Sequence, residues 1–312
     1  MKYIIIIFLL FTGGSAIAQI TYETVFVDYD SAWQYKNLKV IPIRIKKGAG
    51  NPLLQQPIAR NIISLNEALN KGIATISERG TASTENVHWL RINNNSDSAI
   101  YVGSGEIIAG GRQDRMIMRD TILPPTHRDQ YMQVMCVEEE RWADKEKKFT
   151  YSNFANNHLR KVLDENKNQV LIWHEIGNEL DGGGIKNNSM AYLSRNQDKR
   201  ILGIGDEYFN YFDDKIRHSD TSIVGFVCVS GDRIIGSDIF AATRLFYGQE
   251  GPLLRGYIDD AVFYGAPVNL PDKRVVEYMD KILTDERSQE EFVNKNGKIF
   301  RQRRQVIHIT TF

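Results

Sequence analysis

The chain has 312 residues, with 39 Lys and Arg against 39 Asp and Glu. That balance argues against a general polyanion binder, whose affinity rests on excess positive charge over one surface, so no nucleic-acid partner is expected. An apolar fraction of 42% beside 25% charged residues is ordinary for a globular protein, and two cysteines in such a length make no disulfide framework.

At the N-terminus Lys2 precedes the apolar run from Ile4 to Phe11. Thr12-Gly13-Gly14-Ser15 breaks the run, and Ala16-Ile17-Ala18 follows with small residues at its ends. This three-part layout is that of a secretory signal peptide over 1–18, cleaved after Ala18. The run is shorter than the about 20 apolar residues that cross a bilayer. No later segment is longer, so no stable membrane insertion is expected. No cysteine stands near the cleavage point to carry a lipid. The expectation is a soluble bacterial protein, periplasmic or secreted, that begins at Gln19.

Further along, Ile41, Ile43 and Ile45 alternate with Pro42 and Arg44, the period of a strand. A helix is expected around Leu65–Gly72. Val87–Ile92 reads as a strand closed by the turn-rich Asn93–Ser98, with Ala99–Val102 at hairpin distance. Arg115–Arg119 and Tyr131–Val137 are two more strands, separated by Pro124-Pro125. Cys136 shares a face with Met132 and Val134, which suits a small buried group. A bond between Cys136 and Cys228 stays open.

Past Thr150 the pattern turns helical. Ala155, Leu159, Val162 and Leu163 recur at helical spacing behind a cap at Ser152 or Asn153. Val170–Leu180 carries another stripe, ended by Gly182-Gly183-Gly184, and Asp206–Arg217 is a third helix. Ile223–Val229 and Arg233–Gly236 flank Gly231-Asp232, a hairpin signal. Leu253–Val262 and Val275–Leu283 line helix faces, the latter behind Pro271, and Val306–Ile309 alternates as a closing strand. The order indicates an α+β fold: an antiparallel β-rich N-terminal half packed with a helical C-terminal half that contains a β-hairpin and a closing strand. One domain over 19–312 is expected, divisible into a β-rich lobe 19–150 and an α/β lobe 151–312.

Several site signatures are missing. His174-Glu175 lacks the second histidine of a zinc helix, and the six histidines lie far apart, so no metal is expected. Gly203-Ile204-Gly205 runs into Asp206, which breaks the dinucleotide fingerprint. No P-loop occurs, Ser104 lacks nucleophile-elbow spacing, and no cofactor is expected. A triad assembled from distant residues stays open.

Two segments carry candidate chemistry. In Gly103–Arg115 the glycines allow close backbone approach, Glu106 supplies a carboxylate, Arg112 and Arg115 supply planar forks for carboxylate or phosphate, and Gln113 both donates and accepts. On a loop between strands these groups would converge on an anionic or hydroxylated ligand. The same residues also fit a tight turn whose arginines pair with Glu106 and Asp114. In Cys136–Trp142, Glu138 shares a strand face with Cys136, and Arg141 with Trp142 would form a stacking platform. The competing reading is a core cysteine, a solvated acidic run and an aromatic plug.

These segments resemble the ADP-ribosylglycohydrolase and rhodanese-phosphatase-associated protein domain, a bacterial family. The resemblance runs through Gly105-Glu106, Gly110, Gln113–Arg115, Cys136-Val137-Glu138 and Arg141-Trp142. It continues through Val170–Leu180, Val229–Phe240 and Leu254–Tyr257, most of the chain in order. Family members tend to carry Lys-Gln-Asn-Arg where this chain has Arg112-Gln113-Asp114-Arg115, and Gly where Glu140 stands. The resemblance implies one domain unit and a contextual link to ADP-ribose or nucleotide-derived metabolism, and it carries over no catalytic residue.

The expected function is binding or processing of a small anionic ligand by Glu106, Arg112, Gln113, Arg115, Glu138, Arg141 and Trp142. Glu106 or Glu138 would serve as general base if the protein is an enzyme. Alternatives are a non-catalytic envelope module that binds another protein, and a sugar-handling enzyme using Glu106 and Glu138 as paired carboxylates.

Overall fold

The computed structural model describes residues 19–55, 61–79, 86–141, 147–186 and 189–312. The expected signal peptide, 1–18, and Trp142 lie outside the described residues. The first half is strand-rich: β1 (Val25–Val27), β2 (Trp33–Tyr35), β3 (Leu38–Ile45), β4 (Ile62–Ser64), the short α1 (Leu65–Asn70), β5 (Ala74–Glu78) and β6 (Trp89–Asn94). Then come β7 (Ala99–Val102), β8 (Glu106–Gly111), β9 (Arg115–Ile117), β10 (Thr121–Leu123), β11 (Asp129–Cys136) and β12 (Lys147–Phe154). Helices α2 (Asn157–Asn166), α3 (Gln169–Gly182) and α4 (Lys199–Arg217) follow, with a 3-10 turn at Tyr192–Gln197. The chain closes with the hairpin β13 (Ile223–Ser230) and β14 (Arg233–Phe240), then α5 (Thr243–Tyr264), α6 (Asp272–Leu283), α7 (Glu286–Asn296), β15 (Gly297–Gln302) and β16 (Gln305–Thr311). The fold is α+β.

The largest sheet has the order β1-β3-β13-β14-β16-β15, with β2 also paired to β3. Every residue of β13 is buried, because both faces of this sheet are covered. Phe226 and Cys228 pack on α4 and α5 through Tyr208, Phe212, Leu254 and Tyr257. Val227 and Val229 face the other way, onto Val275, Met279 and Ile282 of α6 and Val293 of α7. Gly225 is required where β13 meets β14: a Cβ there would sit 2.2 Å from the Asp238 carbonyl oxygen. Both cysteines are buried and free.

The second sheet, β12-β8-β9-β11-β6-β5, positions the site. One face, with Ile108, Ile117, Val134 and Phe149, packs over Leu65 of α1 and the small sheet β10-β7-β4. The other, with Ile107, Met116 and Val137, receives Leu159, Ile172 and Ile176 of α2 and α3.

The structure differs from the sequence expectation at several elements. Gly103–Arg115 is not a loop; most of it is β8 and the start of β9, and residues 112–114 alone form the connection. Helix α2 is capped by Asn156, whose side chain accepts from the Leu159 N–H, not by Ser152 or Asn153, which belong to β12. Asp198 starts α4 earlier than Asp206, by accepting from the N–H groups of Arg200 and Ile201.

A buried ionic network ties the largest sheet to α2 and to β7 of the three-stranded sheet. Arg160 of α2 grips Asp238 of β14 at 2.8 and 3.0 Å, and Asp238 also accepts from Tyr257 at 2.6 Å. His308 of β16 lies 2.8 Å from Asp238 through Nε2 and 3.3 Å from Asp120 through Nδ1. Tyr101 of β7 donates to Asp120 at 2.7 Å. Burial would raise both carboxyls, but Arg160 with His308 holds Asp238 low and Lys298 with His308 holds Asp120 low. Burial would lower His308, yet its two carboxylate partners raise it overall.

Candidate functional site

The β8–β9 hairpin brings the central segment against the end of β11. At the turn, Gly110 and Gly111 both have positive φ, 129° and 53°. A Cβ on Gly111 would lie 2.2 Å from the Phe149 ring, so the glycine lets β12 close over the hairpin. Beyond the glycines the backbone N–H of Arg112 donates to Glu78 Oε1 at 2.9 Å, and Arg115 reaches the same oxygen at 3.5 Å. Arg115 is 0% exposed, so its guanidinium supports the turn from behind. Gln113 donates through Nε2 to the Glu138 carbonyl at 2.8 Å and accepts from Arg115 at 3.3 Å.

In front of this scaffold lies an open cleft of about 530 Å³. Asp114 and Glu138 form its acidic wall. Arg141 Nη2 joins them, 2.6 Å from Glu138 Oε2 and 3.3 Å from Asp114 Oδ1. The Asp114 side chain also accepts from the Gly110 N–H at 2.8 Å, and its own N–H lies 3.3 Å from Glu138 Oε2. Burial raises the Asp114 carboxyl, partly countered by the Gly110 N–H, while Glu138 adds to the rise and Arg141 opposes it. Arg141 is raised, chiefly by its bond to Glu138. Among the described residues, Arg141 Nη1 is buried without a hydrogen-bond partner. The opposite wall comes from Lys148 and Thr150 of β12 and from Ser194 and Gln197 of the 3-10 turn. An isolated bridge between Glu138 and Ala191 holds that turn's approach beside the acidic wall.

Gln113, Asp114, Glu138 and Arg141 are therefore brought together, with Arg112 and Arg115 directly behind them. Glu106 is not. It sits at the far end of β8, opposite Phe154, whereas Gly111 pairs with Lys147 at the cleft end. At roughly 3.3 Å per residue those ends are about 17 Å apart. Glu106 is fully buried and accepts from Gln249 Nε2 at 2.7 Å, the Gly103 N–H at 3.1 Å and the Tyr151 hydroxyl at 3.4 Å. Burial pushes its carboxyl up to about 8 against the lowering effect of Gln249 and Gly103. It takes no part in the cleft, which removes Glu106 as its general base and dissolves the Glu106–Glu138 carboxylate pair. The arginines do not pair with Glu106 either; Arg115 meets Glu78 instead.

A family model described as ARG and Rhodanese-Phosphatase-superfamily-associated Protein domain matches residues 26–312. The chain belongs to that family. No curated protein and no solved structure matches it. The matched span of this associated-protein domain includes every described element from β2 to β16, so both walls of the cleft are domain residues. Asp114, where the resemblance expects Asn, is the residue that adds a second carboxylate against Arg141.

Sequence reasoning missed Glu78, Lys148, Ser194 and Gln197. Glu78 had a signal: it shares the buried face of β5 with Ala74 and Ile76, and a carboxylate at an inward position calls for a cation. The others come from elements whose placement against the hairpin is tertiary, and nothing local marks them.

Proposed function

We propose that this chain is an exported, soluble protein that binds or processes a small anionic ligand bearing hydroxyl groups, in the cleft at Asp114, Glu138 and Arg141. One observation carries the reading: a guanidinium anchored by two carboxylates on a cleft wall, with its second terminal nitrogen buried and unpartnered. Such a nitrogen donates to an anionic oxygen, and Lys148 across the cleft adds a second cation. Asp114 and Glu138 keep acceptor capacity for hydroxyl protons. ADP-ribose and nucleotide-derived compounds, the contextual link that the resemblance implies, belong to this chemical class. If the ligand is also transformed, Glu138 or Asp114 is the base candidate.

A thermal-shift screen with ADP-ribose, nucleotides, sugars and sugar phosphates tests the reading, because a ligand bound only by the folded state raises the melting temperature. A shift is expected, and Arg141→Ala together with Lys148→Ala should abolish it. A shift that survives both changes overturns the assignment. Arg115 is unsuited to this test, since its buried guanidinium supports the fold. Export is tested by N-terminal sequencing of the mature protein: a chain beginning at Gln19 supports it, and an intact leader on cytoplasmic protein overturns it.

The alternative is a non-catalytic envelope interaction module. It draws on α3, where Val170 is 66% exposed beside exposed Leu171 at the rim of a shallow hollow containing Trp173 and Met190. If Val170→Asp and Leu171→Asp abolish recovery of a partner from envelope extracts while the cleft changes do nothing, that alternative prevails.

A further inference from the structure

Two clefts open along β12. Lys148, Thr150 and Ser152 alternate along the strand with Phe149 and Tyr151, whose rings join the core beneath. Lys148 and Thr150 line the cleft at Arg141, and Ser152 lines a second cleft of about 210 Å³. The 3-10 turn serves both. Ser194 and Gln197 face the first, Arg195 and Asn196 the second.

The second cleft contains a held pair of polar atoms. Arg195 is 1% exposed and lies flat on the Tyr192 ring, 3.7 Å from its centroid. Its Nε donates to the Tyr192 carbonyl at 2.9 Å, and its Nη2 is bonded to Glu179. The remaining nitrogen, Nη1, stands 3.5 Å from Asp259 Oδ2, and neither atom has a hydrogen-bond partner among the described residues. A hydroxyl satisfies both at once, because its oxygen accepts from the guanidinium while its proton goes to the carboxylate. An inorganic anion would be repelled by Asp259, and an ammonium by Arg195.

We propose that the two clefts are the ends of one groove for an elongated anionic polyol, in chemical class a sugar phosphate. The phosphate lies at Arg141 and Lys148, and the sugar hydroxyls lie between Arg195 and Asp259. This inference rests on the anion reading of the first cleft and adds the hydroxyl end. From Lys148 to Ser152 the strand spans roughly 13 Å at about 3.3 Å per residue, and side chains reaching inward from both ends shorten the gap. A plain phosphate fills one end only, and a neutral sugar leaves Arg141 unanswered.

Calorimetric titration of the full chain with glucose 6-phosphate, glucose and inorganic phosphate tests the groove. Glucose 6-phosphate is expected to bind at least tenfold tighter than inorganic phosphate. Asp259→Asn should bring it to the level of phosphate and leave phosphate binding unchanged. Ser152→Ala, in the same cleft as the Arg195–Asp259 pair, should reduce the preference at least threefold and serves if Asp259→Asn fails to fold. Arg141→Ala should weaken both anions. No preference for the sugar phosphate in the unaltered chain, or a preference untouched by Asp259→Asn and Ser152→Ala, overturns the groove while leaving the anion site standing. Phosphate and glucose 6-phosphate affinities unaffected by Arg141→Ala overturn the anion reading itself.

Discussion

Glu106→Gln isolates the energetic consequence of a carboxyl sealed in the core. The folded-state value of about 8 lies above the ordinary carboxyl value of 4.5, so the folded protein holds a proton that the unfolded chain has already released. The sign follows: below about 4.5 both states are protonated and the group is neutral to stability, whereas rising pH favours unfolding until the folded carboxyl also ionises. At about 1.4 kcal/mol per pH unit, the full interval corresponds to about 5 kcal/mol, an upper limit because buried sites relax. Gln249 is placed to accept the proton. Its Oε1 is buried without a partner while its Nε2 faces Glu106, and exchanging the two ends of the amide turns a donor into an acceptor. Glutamine at 106 reproduces the protonated carboxyl in shape and bonding. Denaturant unfolding of both proteins from pH 5 to pH 9 should show similar stability at the acid end and a growing advantage for Glu106→Gln toward pH 8. A stability difference that is independent of pH would refute the reasoning.

Other outcomes follow from the same interior. Arg160→Met leaves Asp238 buried without its bidentate partner and should cost about 3–5 kcal/mol by denaturant unfolding. His308 is raised by its carboxylates, so its contribution is full below about pH 6.5 and is lost as pH rises through its folded value; His308→Gln should flatten the alkaline limb of a melting-temperature profile. Asp120 and Asp238 are held low, so their contribution is full above about pH 4 and falls away in acid, which places the maximum melting temperature of the unaltered protein at about pH 5–6. Gly225→Ala drives a methyl into the Asp238 carbonyl and should destabilise by about 1–3 kcal/mol or more, measured by urea titration.

Local signals carried the fold further than the site. The hairpin at Gly231-Asp232 and the all-buried β13 were legible because turn chemistry and an unbroken apolar run are local properties. Strands β2 and β15 were not, because their half-buried faces give weak alternation. Pro252 obscured the true length of α5, which starts at Thr243. At the site, two sequence segments suffice to name Gln113, Glu138 and Arg141, but adjacency in the motif misled for Glu106. Its strand carries it to the opposite end of β8, and no short pattern encodes where α5 will present Gln249. Lys148 and Ser194 are cleft residues only because β12 and the 3-10 turn meet there.

The largest sheet interleaves segments far apart along the polypeptide. Strand β3 lies beside β13, and β14 is bordered by β16, which ends at Thr311. Its ladder therefore stays incomplete until β16 has been delivered. Pairings this distant along the chain close slowly. The rate at which this sheet assembles is therefore set by its long-range pairings rather than by the local β13–β14 hairpin.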